Sequence, residues 1–189
     1  MKNKKLIITL GIILAIIVII AGSLISTYNS LNSLKGEVEE KQAVISAQLQ
    51  RRSDLIPSLV NTVKGYAAHE ESVYTAIADA RSKLMGASTT EEMADANSEL
   101  SSALSRLLVV VEQYPALKAN TNFIALQDEL AGTENRITTA RNDYNKVAKE
   151  LNTKIRSFPT NLFAGMFGFL EVDYFEADET AKDAPLVSF

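Results

Sequence analysis

The chain has 189 residues and a mass of 20.6 kDa, enough for one domain with a buried core once an apolar N-terminal segment is set aside. It contains no cysteine, which excludes disulfides, thiol catalysis, a lipidated N-terminal cysteine and any cysteine-ligated zinc. The formal charge is −4, and without Lys2, Lys4 and Lys5 it is 16 basic against 23 acidic side chains, about −7, so no nucleic acid partner is expected.

Residues 1–5 form a basic segment, and residues 6–25 follow without a single charge. At 1.5 Å per residue those 20 residues span about 30 Å as a helix, one hydrocarbon thickness, which predicts a transmembrane anchor. A cleaved signal peptide is the rival reading, because Ala21-Gly22-Ser23 supplies the small residues a signal peptidase accepts. The apolar pattern continues through Leu24-Ile25 into a helical repeat, which favours the uncleaved anchor. Three lysines precede the segment, while Lys35 and Lys41 follow it among Glu37, Glu39 and Glu40. That bias predicts a single-pass protein of the cell membrane with a cytoplasmic N-terminus and an extracytoplasmic bundle.

From Tyr28 onward apolar residues recur three and four apart through Leu31, Val38, Ile45, Leu49, Ile56, Leu59, Val63, Tyr66, Val73, Ile77, Ala80 and Leu84, a helical seam. Pro57 interrupts it. With Asp54 as an N-cap, Pro57 falls in the first turn of a new helix, where it loses no hydrogen bond, so the spacing predicts two helices here. Gly86-Ala87-Ser88-Thr89 reads as a turn, with Thr89 or Thr90 capping a third helix whose seam runs Met93, Asn97, Leu100, Leu104, Leu107, Val111 and Tyr114. Pro115 helps to end it. A fourth helix starts near residues 120–122 and carries Phe123, Leu126, Leu130, Thr133, Ile137, Ala140, Tyr144, Val147, Leu151, Ile155 and Phe158 on one face. Gly132 weakens it locally by ~1 kcal/mol.

These elements predict an all-α chain: an N-terminal transmembrane helix, then an antiparallel up-and-down four-helix bundle over residues 26–157. Residues 158–189 form an aromatic and acidic tail that holds six of the seven phenylalanines. The plain expectation is that its rings fold back on the bundle; a membrane-surface or partner-binding patch is the alternative.

No catalytic, cofactor-binding or metal-binding residue is nominated, and no enzyme activity or cofactor is expected. His69 opens a His-Glu run like that of a zinc protease helix, but Val73 stands where the second histidine belongs. Neither a phosphate-binding glycine loop nor a nucleophile elbow is present. The polar residues that stand out are Arg51, Arg52 and Asp54, then Lys64 and His69, then Glu129, Glu134, Asn135, Arg136, Arg141 and Asn145. Surface ion pairing is their bland reading; several can also face a neighbouring helix and set its register. Phe167 and Phe169 are the candidate interaction residues of the tail.

The run from Gln48 to Glu70, with Arg51-Arg52-Ser53-Asp54-Leu55-Ile56-Pro57 near its head and Gly65-Tyr66-Ala67-Ala68-His69-Glu70 at its end, resembles the signature segment of the LemA family. Tyr114-Pro115, Leu117-Lys118-Ala119-Asn120, Leu126-Gln127-Asp128-Glu129-Leu130, Thr133-Glu134-Asn135-Arg136-Ile137, Ala140-Arg141 and Phe158-Pro159-Thr160-Asn161 follow in the order and spacing of that family. The likeness extends through Phe167-Gly168-Phe169, Tyr174-Phe175-Glu176 and Ala184-Pro185 to the closing Val187-Ser188-Phe189. A departure lies at residues 34–42, where many relatives carry an alanine-tryptophan pair and this chain has no tryptophan. The resemblance implies a membrane-anchored antiparallel bundle without a defined activity.

By the same analogy, TPM-domain and HtpX-like membrane proteins are the expected neighbours. The leading expectation is therefore a non-enzymatic scaffold or adaptor in a membrane or envelope complex, which self-associates or docks on a protein partner. A sensor binding a small ligand or lipid in a pocket lined by Tyr66, Tyr144 and Arg141 is the second.

Overall fold

The computed structural model describes residues 2–176, with side chains from residue 7 onward. The basic side chains of the N-terminus and the closing run from Ala184 to Phe189 lie outside the described residues. Among the described residues five α-helices form: α1 (Lys2–Lys64), α2 (Glu71–Gly86), α3 (Thr90–Val111), the single turn α4 (Pro115–Lys118) and α5 (Thr121–Arg156). Two short 3₁₀ turns follow at Thr160–Leu162 and Gly165–Phe167, and no strand forms among the described residues. The all-helical class, the N-terminal apolar helix and the bundle are as expected.

The chain divides into two compact units, the first built from Met1–Glu39 with Lys146–Val172 and the second from Glu40–Asn145 with Asp173–Phe189. In the second unit α1 lies antiparallel to α5: Arg136 Nε donates to Gln48 Oε1 at 3.3 Å, and Arg51 pairs with Glu129 at 2.6 Å. It also lies antiparallel to α2, with Ser53 opposite Arg81 and Lys64 opposite Tyr74. Helices α2 and α3 form a hairpin across which Lys83 meets Glu99 at 2.6 Å. The expected seam is largely the core: Ile45, Ile56, Ile77, Leu100, Leu107 and Ile137 are buried.

The expected break at Pro57 is corrected by the structure, since α1 runs through it to Lys64. Proline cannot donate to the carbonyl four residues back, which is that of Ser53. Arg81 Nε on α2 donates to this carbonyl at 2.9 Å, so the lost intrahelical bond is replaced from a neighbouring helix. Asp54 caps nothing; its carboxylate accepts from Gln50 Nε2 at 2.9 Å along the surface. The chain turns instead after Lys64, where Tyr66 and Ala67 both donate to the Val63 carbonyl at 2.9 Å. This moves Ala67, rather than Tyr66, into the core: Ala67 is buried and Tyr66 is exposed.

The remaining boundaries follow their capping chemistry. Thr89 accepts from the Glu92 backbone N–H at 3.1 Å while Glu92 accepts from the Thr89 N–H at 3.0 Å, a reciprocal cap that starts α3. Backbone donation from Ser88 and Thr89 holds the Glu92 carboxyl below its ordinary range. Pro115 opens α4, where its missing N–H leaves nothing unpaired. Asn120 Oδ1 accepts from the Phe123 N–H at 3.0 Å at the start of α5, which then passes through Gly132 without interruption.

In the first unit, residues 7–23 of α1 are exposed throughout, whereas Leu31 and Val38 are buried. Tyr28 packs edge-on against Phe167 and Phe169, with ring centroids 5.4 and 5.5 Å apart. Gly168, at φ 76°, makes the left-handed turn that allows two residues so close in sequence to reach one ring. The Phe158–Pro159 peptide is cis.

Candidate functional site: a buried arginine cluster

In the second unit Arg52 is buried among three helices. It stands on α1 next to the buried Ser53, and Asn97 and Ser101 approach it from α3 while Glu134 approaches from α5. Arg52 Nη1 donates to Asn97 Oδ1 at 2.6 Å and to Glu134 Oε2, and Nη2 donates to Ser101 Oγ at 3.1 Å. Ser101 Oγ in turn donates to the Asn97 carbonyl at 2.9 Å. The Arg52 side chain is 6% exposed and that of Glu134 is 40% exposed, so the pair places a desolvated cation against a partly hydrated anion.

Burial lowers the Arg52 pKa from its ordinary value, Glu134 opposes that shift and the nearby Arg141 adds to it. A cation in this setting is stable only while its acceptors stay in place. Those acceptors come from α3 and α5, so the one guanidinium ties α1 to both helices.

An outer row of charge flanks it. Glu129 accepts from Arg51 at 2.6 Å and from Arg136 at 2.9 Å, and Arg136 also donates to Thr133 Oγ1 at 3.0 Å. The structure thus brings Arg51, Arg52, Glu129, Glu134 and Arg136 into the same faces of α1 and α5. Arg141 sits over the Phe175 ring at 5.3 Å, and that ring packs edge-on against Tyr144 at 5.1 Å. Asn135 is exposed and borders a shallow groove with Val44, Gln48 and Asp143. Lys64 lies over the Tyr74 ring at 5.1 Å, His69 is exposed in the turn before α2, and Asp54 is exposed, so none of these three joins the cluster.

The tail is held by two asparagines of α5. In the first unit Asn152 is buried; it donates to the Val172 carbonyl at 2.8 Å and accepts from the Val172 N–H at 2.9 Å. In the second unit Asn145 does the same to Phe175, at 2.7 and 2.8 Å. Each carboxamide offers the extended backbone the donor and acceptor that a neighbouring strand would offer. Tyr144 Oη adds a bond to the Asp173 carbonyl at 3.0 Å, and burial pushes the Tyr144 pKa up.

In the tail Phe169 and Phe175 are buried, whereas Phe158, the last residue of the expected α5 seam, is exposed. The proposed pocket residues are occupied otherwise: Phe175 covers Tyr144 and Arg141, and Tyr66 Oη accepts from Asn120 Nδ2 at 3.0 Å.

Asn97, Ser101, Arg81 and Asn152 are the residues that sequence reasoning missed. Asn97 carried a signal, a carboxamide at a seam position of α3 that needs a buried partner. Arg81 and Asn152 carried none, because each serves a backbone group whose need arises only in the folded chain. No cluster of three or more histidine or carboxylate side chains suited to a metal ion occurs among the described residues.

The structure contains a helix, Ile7–Lys64, long and apolar enough to cross a membrane, a candidate single-pass anchor. The model of the LemA family matches residues 41–189. Magnetosome proteins MamQ 1 and MamQ 2 of Paramagnetospirillum magneticum are each 27% identical over 202 residues, covering 93% of this chain and 74% of theirs. Protein LemA of Metamycoplasma hominis is 27% identical over 155 residues, covering 82% of this chain and 71% of its own. With the family's model covering most of its length, from the middle of α1 to the C-terminus, the chain belongs to the LemA family.

Proposed function

We propose that the protein is a membrane-tethered, non-catalytic scaffold or adaptor, whose bundle presents protein-binding faces on the extracytoplasmic side of the cell membrane. The observation that carries this reading is the use to which the charged side chains are put. Arg51 and Arg52 on α1 pair with Glu129 and Glu134 on α5, and Arg136 pairs with Glu129 along α5, so these carboxylates are engaged in holding helices together rather than left free for acid–base chemistry. Continuity of α1 supports the tether, since one helix carries both the exposed apolar stretch and the buried seam. Relatives named as magnetosome proteins agree with a role at a membrane. TPM-domain or HtpX-like membrane proteins, or a second copy of the chain, are the partners to look for.

Exposed apolar side chains on the second unit offer places to detect that partner. Val109 on α3 is 67% exposed. A photo-crosslinking amino acid at Val109, and separately at Val44 and Tyr66, in the full-length chain in cells should yield a discrete adduct with a membrane or envelope protein or with a second copy. Absence of any adduct from all three positions, in protein that is folded and in the membrane fraction, would contradict the scaffold reading.

A further inference from the structure

Four large apolar side chains near the end of α5 and in the 3₁₀ turns stay in the open: Phe158 and Met166 are 82% exposed, Leu170 is 75% and Leu162 is 58%. They alternate with buried Thr160, Ala164 and Phe169, so the segment has one side against the first unit and one side uncovered. So many bare apolar groups in thirteen residues are unusual on a surface that faces only water.

Their position says what covers them. The apolar stretch of α1 ends at Ile25, and Tyr28 is three residues further on, about 4.5 Å along the helix axis. Tyr28 is the residue on which Phe167 and Phe169 pack. Lys154, before the segment, donates to Ser30 Oγ, so the chain passes from the level of Ser30 down to that of Tyr28 and approaches the anchor as it goes. With about 30 Å of hydrocarbon and 40–45 Å in all, a bilayer gives each headgroup layer roughly 5–8 Å. Tyr28 and the rings around it fall within that layer, where tyrosine is itself enriched. Lys154 and Arg156 lie in the last turn of α5, just before the segment, as suits a region beside lipid phosphates.

We propose that residues 158–170 form a second membrane contact, an interfacial foot whose Phe158, Leu162, Met166 and Leu170 side chains enter the headgroup region beside the anchor. The occupant of the bare face is lipid. The proposal rests on the reading of α1 as a membrane anchor, and it gives the first unit a fixed seat on the bilayer instead of a single flexible tether.

The chain lacks tryptophan, so one introduced indole is a unique reporter. Full-length Met166→Trp and, separately, Leu14→Trp are reconstituted into phosphatidylcholine vesicles carrying bromine either near the headgroup end or near the methyl end of the acyl chains. The expected result is blue-shifted emission from both, with position 166 quenched more by the shallow bromines and position 14 more by the deep ones. Quenching at position 14 with water-like, unquenched emission at 166 would overturn the foot and leave the anchor intact. Loss of quenching at both would overturn the anchor and the foot together. A blue-shifted but unquenched indole at 166 would show that protein, a second copy or a partner, covers the face, and would also overturn the proposal.

Discussion

At Arg52 a guanidinium gives up its water for three side-chain acceptors, and the two members of its ion pair are unequal in burial. Removing Glu134 leaves a cation that water cannot reach, whereas removing Arg52 leaves a carboxylate that water partly solvates. Glu134→Ala should therefore cost on the order of 3 kcal/mol, and Arg52→Met, which fills the site with apolar volume, less than that. The double variant should be about as stable as Arg52→Met alone, because the charge that needed Glu134 is gone. Chemical denaturation of the detergent-solubilised chain followed by circular dichroism checks the order. Arg52→Met proving the more damaging of the two would show that packing rather than charge sets the energy of the site.

Helix α1 shows how an element survives a residue that should end it. Proline in a helix interior costs ~3 kcal/mol, part of which is the carbonyl it leaves unpaired. Since Arg81 takes up that carbonyl, the two residues are coupled. Pro57→Ala should stabilise the chain by roughly 1–3 kcal/mol, and Arg81→Ala should cost ~1 kcal/mol in the parent and less in Pro57→Ala. Equal cost in both backgrounds, measured by the same denaturation, would mean that Arg81 does not compensate for the proline.

This is also where sequence reasoning reached its limit. Periodicity placed Ile45, Ile56, Ile77, Leu100 and Ile137 in the core because apolar spacing is a local property of one helix. The start of α3 at Thr89 or Thr90 and that of α5 near residues 120–122 were legible for the same reason, from signals written within a few residues. The fate of Pro57 was not, because it depends on a side chain 24 positions away on another helix. Arg52 stood out with Arg51 and Asp54 among the polar residues, but its acceptors on α3 and α5 become visible only once three helices are assembled. Of the tail, the aromatic content was legible and its division into buried and bare rings was not, since Asn145 and Asn152 hold backbone groups that no composition reveals.

For the whole molecule, a single helix that begins as an uncovered apolar stretch and continues as a core element sets the proposed role. The first unit gathers the end of that stretch, the last turns of α5 and the aromatic turns; the second holds the arginine cluster and the exposed faces proposed for partners. Ser82 is exposed on α2 and makes no contact that a thiol would disturb, and the chain has no other cysteine. The most direct measurement is Ser82→Cys in intact cells treated with a membrane-impermeant maleimide, with fractionation in parallel. The account predicts that the chain stays in the membrane fraction and labels without lysis, which places the bundle outside the cell membrane. Labelling only after lysis, or release of the chain into the soluble fraction, would contradict it.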